Sequence, residues 1–181
     1  GDMVMASEDA TADNITLMML EARGLICTPM LGDDLDRLNL PLQVQNNTAA
    51  HRTAFTVTVD AANGITTGIS SADRAHTIQT AVASFASPAD IVQPGHVFPL
   101  MVASGGVLMR AGLTEAASDY AGLSGLTPAA VISDILSSKG ELANKSELSE
   151  FASKHQLKMG SMADLINFRL RNEHTIKRIR T

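Results

Sequence analysis

The chain has 181 residues and a formal net charge of −5, with 45% hydrophobic and 18% charged residues. This length corresponds to about one domain, and this balance is typical of a globular protein rather than a disordered one. Aromatic residues make up only 3% of the chain. Because the charge is negative and base-stacking residues are scarce, the composition argues against a nucleic-acid partner.

The cysteine and hydropathy patterns bear on the compartment. Cys27 is the only cysteine, so no intrachain disulfide can form, which favours a reducing compartment such as the cytoplasm. The first residues lack the basic segment and apolar core of a signal peptide. The longest stretch without charge, residues 91–109, is interrupted by Pro94 and Pro99 and is a poor membrane span. We therefore expect a cytoplasmic protein with no membrane partner.

The N-terminal half predicts short strands alternating with helices. Predicted strands cover residues 3–6, 25–27 and 53–60, and predicted helices cover residues 14–23, 33–38 and 71–84. Thr11 is the expected N-cap of the first helix. The run 53–60 is the clearest strand, because β-branched and aromatic residues alternate along it.

The C-terminal half continues this mixture. Predicted strands cover residues 97–101, 106–109 and 131–132, predicted helices cover residues 114–121, 147–155 and 161–171, and shorter helical starts fall at residues 88–91 and 127–128. Ser146 and Ser161 are the expected N-caps of the last two long helices. Mixed short strands and helices without a repeat predict an α+β layered domain.

The last residues are basic. Residues 169–181 hold five bases against one acid and predict a solvated helix end or linker that follows the domain. The five bases are Arg169, Arg171, Lys177, Arg178 and Arg180.

Several familiar site motifs are absent from the sequence, among them the phosphate-binding loop, the HExxH zinc motif and the nucleophile elbow. His96 follows a Pro-Gly turn, and an imidazole can act as general acid or base near neutral pH. Arg110, with Gly112 and Thr114 at a helix start, can hold an anionic group. A solvated histidine and a surface ion pair also fit these patterns.

Six runs of residues, taken in chain order, carry a resemblance to a known family. They are residues 23–27, 46–48, 53–57, 64–74, 94–100 and 105–112. Together they resemble 3,4-dihydroxy-2-butanone 4-phosphate synthases, the lyases that supply the four-carbon unit of riboflavin. The resemblance implies a mixed-sheet α/β/α sandwich over residues 1–168 and a homodimer with sites at the subunit interface. It also implies conversion of D-ribulose 5-phosphate to 3,4-dihydroxy-2-butanone 4-phosphate and formate, with Mg²⁺ or Mn²⁺.

The resemblance also implies roles for individual residues. The catalytic positions are His96, Asp134 and Cys27, of which the cysteine lines the site. The substrate-binding positions are Asp2, Thr48, Arg110, Ala111, Gly112 and Thr114. Of these, Arg110, Gly112 and Thr114 match the segment that holds the sugar phosphate.

This sequence departs from the family pattern at the metal site. Leu113 stands where the family has a metal-binding histidine, and leucine has no lone pair to donate. Asp134 replaces a glutamate, which shortens the side chain by one methylene, and Gln93 replaces an arginine. The family's acidic loop, with its metal-binding glutamate, precedes the position of Gly1. No metal ligand of the family is therefore visible.

These departures leave alternatives beside the active lyase. One is a catalytically degenerate domain with a structural or dimerisation role, and another is an enzyme for a different phosphorylated sugar. His51, in the polar loop after Thr48, is a minor candidate for the missing ligand. In fused family members a GTP cyclohydrolase II domain follows a basic segment similar to residues 169–180, so such a fused or separate partner is expected.

Overall fold

The fold is built on one five-stranded mixed sheet. It is known from a computed structural model, which describes residues 1–173. The strands are β1 (Asp2–Ala6), β2 (Cys27–Met30), β3 (Val59–Ala61), β4 (Ile91–Met101) and β5 (Ala130–Asp134). They lie in the order β1-β5-β2-β4-β3, and only β2 and β4 run parallel, while the other neighbours run antiparallel.

Six α-helices surround the sheet within the described residues. They are α1 (Ala12–Leu17), α2 (Gly32–Arg37), α3 (Ser71–Val82), α4 (Leu113–Leu123), α5 (Lys145–Lys154) and α6 (Met162–Asn172). A π-helical turn, Met18–Ala22, prolongs α1, which Thr11 caps by accepting a hydrogen bond from the Asn14 backbone. In residues 1–173 no helix is both long and apolar enough to cross a membrane.

Alternate residues of the strands pack into two cores on opposite faces of the sheet. Met30, Val97 and Val131 join the larger core beneath α1 and α3. Cys27, Leu100 and their neighbours form a smaller core beneath α4. Because helices cover both faces, the domain is the α/β/α sandwich with a mixed sheet that was expected from the sequence.

The strand predicted at residues 53–60 is wrong over most of its length. Only Val59–Ala61 forms a strand, and Phe55 and Thr56 make single bridges to different partners. The Thr56 backbone donates to the carbonyl of Pro99, and Val57 donates to that of Pro41. Proline has no N–H to return, so a continuous ladder cannot form on either side.

The predicted strand at residues 106–109 is also wrong. Gly106–Leu108 form a single 3₁₀ turn, because Gly105 and Gly106 both have positive φ angles, of 100° and 60°. The helical start expected at residues 127–128 is instead extended chain that leads into β5. The cap of α5 is Asn144 rather than Ser146, and Asn144 forms a reciprocal capping box with Glu147.

The last helix continues beyond residue 168, where the basic segment was expected to begin. Arg169 is nearly buried and donates 2.8 Å hydrogen bonds to Asp119 of α4 and to the carbonyl of Gly105. The start of the basic segment therefore packs against the domain. Its remaining residues, 174–181, lie outside the described part of the chain.

Candidate active site

Strand register places two of the predicted site residues on the same face as Cys27. Cys27 is the partner of Ile132 in β5 and of Phe98 in β4. Asp134 follows Ile132 by two residues, and His96 precedes Phe98 by two. Because side chains two apart in a strand share a face, Asp134 and His96 project on the α4 side, beyond Cys27.

Asp2 extends this row to the edge of the sheet. It is the direct partner of Asp134 in the antiparallel β1–β5 pair. Its Oδ1 atom is buried without a hydrogen-bond partner among the described residues. Burial, followed by the charge of Asp134, raises the pKa of Asp2 to about 6. Asp2 therefore holds a proton more readily than an isolated aspartate. We refer to Asp2, Cys27, His96 and Asp134 as the sheet group.

The raised pKa makes stability depend on pH. The folded chain binds a proton on Asp2 up to about pH 6, whereas an ordinary aspartate releases it near pH 3.8. Stability should thus fall as the pH rises from 4 to 6, and the ionised carboxyl should cost roughly 1–3 kcal/mol above that range. We expect Asp2→Asn to remove this dependence and to raise the urea midpoint at pH 8.

The control is Asp36→Asn, which changes an exposed carboxylate on α2. We expect this variant to keep the pH dependence of the parent chain. The raised pKa of Asp2 would be contradicted if Asp2→Asn and Asp36→Asn showed the same change in urea midpoint between pH 4 and pH 8.

Cys27 is buried in the sheet and is a free thiol. Burial, followed by the charges of Asp134 and Asp2, raises the pKa of its thiol to about 12. At neutral pH the group is therefore an uncharged S–H, which contributes shape and a weak donor rather than a nucleophilic thiolate.

His96 is held by a carboxylate that the sequence reasoning did not single out. Its Nδ1 lies 2.7 Å from Oδ2 of Asp60, and its backbone N–H donates to Oδ1 at 2.9 Å. The Asp60 side chain is 8% exposed and that of His96 42% exposed. The only sequence signal for Asp60 was its place as an acidic residue at the end of an apolar run, and such a residue usually marks no more than the end of a strand.

A second set of predicted residues lies at the start of α4 and in the polar loop, which Arg110 contacts at His51. One terminal nitrogen of Arg110 donates to Glu115 at 2.7 Å, and the other donates to the carbonyl of His51 at 3.1 Å. Thr48 is exposed in the loop that also contains His51. We refer to Thr48, Arg110, Ala111, Gly112 and Thr114 as the loop–helix group.

Glu115 is the other residue that sequence reasoning missed. Its side chain is 1% exposed and accepts hydrogen bonds from Arg110 and from the backbone N–H of Ala103. A Cβ atom at Gly112, the N-cap of α4, would lie 2.4 Å from Glu115 and 2.5 Å from Arg110. The ion pair is thus packed against bare backbone, which fixes the orientation of the guanidinium.

The loop–helix group borders a cavity through Arg110. A cavity of about 560 Å³ is lined by Arg110, Glu115 and Ala54. None of the four residues of the sheet group lines it. The second cavity, of about 250 Å³, lies between α4 and α6 at Asp119 and Arg169.

The residues present do not by themselves fit a divalent-cation site. Within residues 1–173 no three His, Cys, Asp or Glu side chains come together in reach of one ion. Leu113 is 44% exposed at the first turn of α4, where an imidazole would have offered a donor. His51 contacts Arg110 through its carbonyl, and within residues 1–173 its imidazole belongs to no group of three metal-ligating side chains.

The fold and these side chains define a mixed-sheet α/β/α domain with an acid–base row on one face of its sheet and an oriented arginine at the start of a helix. The chain belongs to the 3,4-dihydroxy-2-butanone 4-phosphate synthase family, whose model matches residues 1–168.

Two curated relatives illustrate the similarity. A 3,4-dihydroxy-2-butanone 4-phosphate synthase from Neisseria meningitidis serogroup B is 52% identical over 177 residues, which is 98% of this chain and 49% of that protein. The riboflavin biosynthesis protein RibBA of Synechocystis is 51% identical over 180 residues, which is 98% of this chain and 32% of that protein. The chain thus spans half or less of the length of these relatives.

Solved structures give the same result. RibBX from A. baumannii, a two-domain 3,4-dihydroxy-2-butanone 4-phosphate synthase, superposes with a TM-score of 0.95 at 49% identity and covers 99% of this chain and 53% of its own. A 3,4-dihydroxy-2-butanone 4-phosphate synthase in complex with two magnesium ions superposes with a TM-score of 0.90 at 35% identity and covers 94% of this chain and 85% of its own.

Proposed function

We propose that this chain is the lyase domain that converts D-ribulose 5-phosphate into 3,4-dihydroxy-2-butanone 4-phosphate and formate in riboflavin biosynthesis. The observation that carries the proposal is the alignment of Asp2, Asp134, Cys27 and His96 on one sheet face. The reaction needs repeated proton transfers at neighbouring carbons, and such a row supplies donors and acceptors side by side. We further propose that residues 1–168 form the synthase-like domain and that residues 169–181 form a basic C-terminal segment or linker.

The proton transfers are assigned to different residues of the sheet group. In the proposal His96 accepts the proton from the C–H next to the sugar carbonyl, so that an enediol forms. Asp2, which lies opposite Asp134 and retains a proton more readily than an isolated aspartate, donates to the hydroxyl that leaves as water. A skeletal shift and the return of water then release formate, so the five carbons of the substrate divide into four and one.

The loop–helix group is assigned to the substrate phosphate. Arg110 keeps donor positions free beyond its bonds to Glu115 and His51, and Gly112 and Thr114 lie at the N-terminus of α4. A guanidinium and a helix N-terminus both favour an anion. Glu115 neutralises part of the charge of Arg110, so in this proposal the arginine contributes orientation more than long-range attraction.

We propose a homodimer in which the two groups meet across the subunit interface. The support is that the cavity beside Arg110 and Glu115 is not lined by the sheet group of the same protomer.

We also propose Mg²⁺ or Mn²⁺ as the cation, because a related structure holds two magnesium ions. Its ligands must include donors beyond those that the described residues bring together. A cytoplasmic setting and a GTP cyclohydrolase II partner complete the proposal.

Formate release tests the lyase assignment. The purified protein should release formate from D-ribulose 5-phosphate with Mg²⁺ or Mn²⁺. We expect His96→Ala to lower the rate by about 10²–10⁴-fold, the usual contribution of a general acid or base. His76→Ala is the control, since His76 is exposed on α3 and its ring hydrogen-bonds to the carbonyl of Asn63.

Two outcomes would contradict this proposal. One is the absence of formate above background with either cation. The other is an equal rate in His96→Ala and His76→Ala, which would show that the reaction does not use the sheet group.

A further inference from the structure

One carboxylate holds both the backbone and the ring of His96. Asp60 accepts the His96 backbone N–H with Oδ1 at 2.9 Å, while its Oδ2 lies 2.7 Å from the ring nitrogen Nδ1. Two bonds from a single side chain fix the imidazole relative to its own strand. The carboxylate is 8% exposed and the His96 side chain 42% exposed, so the buried partner holds the accessible one.

Two glycines pack closely against the residues on either side of this contact. A Cβ atom at Gly68, where φ is 89°, would lie 2.3 Å from Asp60 Oδ2 and 2.6 Å from His96 Nδ1. A Cβ atom at Gly95 would lie 2.0 Å from the backbone carbon of Val59, beside the register shift between Val59 and Asp60. The bare backbone of Gly68 therefore packs against the Nδ1 side of the ring.

A basic residue of α3, Arg74, lies near Asp60. Burial lowers the pKa of Arg74, and the nearby charge of Asp60 opposes part of that lowering. The same carboxylate accepts the His96 backbone N–H through Oδ1. An ionised carboxylate accepts hydrogen bonds and donates none, so the hydrogen between the two side chains belongs to Nδ1.

We infer that Asp60 is a positioning residue that fixes His96 as the Nδ1–H tautomer and so leaves the Nε2 lone pair to accept the substrate proton. The inference rests on the proposed lyase function for the identity of the substrate. The tautomer and its cause are properties of the protein alone. Sequence reasoning gave His96 a role but gave it no partner.

Nitrogen NMR on histidine-labelled protein tests the tautomer without substrate. Spectra at about pH 9, well above the ordinary histidine pKa of about 6.5, report neutral rings. The signals of His96, one of five histidines, are those lost in His96→Gln. We expect a protonated Nδ1 and an unprotonated Nε2. A protonated Nε2 in the unsubstituted protein overturns the inference without any variant of Asp60.

Asp60→Asn tests the cause. The amide oxygen can still accept the His96 backbone N–H, and the amide NH₂ then faces Nδ1 and donates to it, so the ring proton should move to Nε2. The control is Asp119→Asn, which alters a nearly buried carboxylate paired with Arg169 and should leave the tautomer unchanged. An unchanged tautomer in a folded Asp60→Asn protein overturns the inference.

Kinetics separate this inference from the lyase assignment. In a protein that releases formate, we expect Asp60→Asn to lower kcat by about 10²-fold or more with little change in KM. The reason is that Nε2 of His96 would then be protonated and could not accept the substrate proton. An unchanged kcat overturns the positioning role while the lyase assignment stands. If no formate is released, the lyase assignment fails, and the NMR result alone decides the role of Asp60.

Discussion

Gly95→Ala should be among the most destabilising single substitutions in this domain. The added Cβ atom would lie 2.0 Å from the carbon, 2.2 Å from the oxygen of Val59 and 2.3 Å from the nitrogen of Asp60. These are backbone atoms, so no side chain can rotate to relieve the contact. We expect a loss of at least about 3 kcal/mol, because the β3–β4 pair must separate. Thermal unfolding should show a fall in Tm of about 6–12 °C.

Gly32→Ala is the matched control. No heavy atom lies within 4 Å of a Cβ atom at Gly32, which is the first residue of α2. This variant should keep the parent stability or gain up to about 1 kcal/mol, because alanine restricts the unfolded chain. Equal Tm values for the two variants would show that the close approach of β3 and β4 at the bulge does not constrain the fold.

The close approach of β3 and β4 at Gly95 explains why His96 was predicted from the sequence but its partner Asp60 was not. The Pro-Gly-His run indicated a turn with an acid–base group, and the family resemblance pointed to the same histidine. The partner Asp60 lies 36 residues earlier in the chain. Its approach depends on a register shift between β3 and β4, which no local pattern encodes.

The same limit applies to Glu115. Residues 114–121 were predicted as helical, and Glu115 follows Arg110 by five residues, a spacing typical of exposed charges near a helix start. Whether such a glutamate is solvated or buried depends on what packs over it. Here the Ala103 backbone and Arg110 provide its hydrogen bonds, and both come from the loop that precedes α4. The prediction located the helix but not the ion pair.

Strands were predicted well where apolar residues pack on both sheet faces. The predictions at residues 3–6 and 131–132 fall within β1 and β5, and that at residues 97–101 falls within the longer β4. The errors at residues 53–60 and 106–109 have a common cause. In both, apolar residues are buried without a strand ladder, in one case because the partners are prolines and in the other because two glycines turn the chain.

The site residues therefore differ in how they were found. Neither periodicity nor composition distinguishes Asp2, Cys27 or Asp134 from ordinary strand residues, and their grouping required either the family resemblance or the observed register. Leu113 is the opposite case. The resemblance alone identifies it as unusual, because an exposed leucine at a helix start needs no structural explanation.

Leu113→His should restore a metal donor at the start of α4. Leu113 is 44% exposed, so an imidazole can replace it without disturbing the core. The helix N-terminus disfavours a positive imidazolium and keeps the ring neutral, which is the form that binds metal. We expect the affinity for Mn²⁺ to rise about 10–100-fold, a range typical of changes close to a metal site. Titration calorimetry with Mn²⁺ measures this change in the absence of substrate.

Leu123→His is the matched control, because it adds an imidazole to the same helix at a leucine that is 46% exposed. It lies in the last turn of α4, ten residues from position 113. Equal Mn²⁺ affinities in the two variants would show that position 113 does not face a cation site.

Formate release by Leu113→His distinguishes an active lyase from a degenerate domain. A rate that rises in Leu113→His from a measurable parent value indicates an active lyase with a weakened cation site, whereas activity found only in Leu113→His indicates that the unsubstituted domain has kept the fold and lost the reaction.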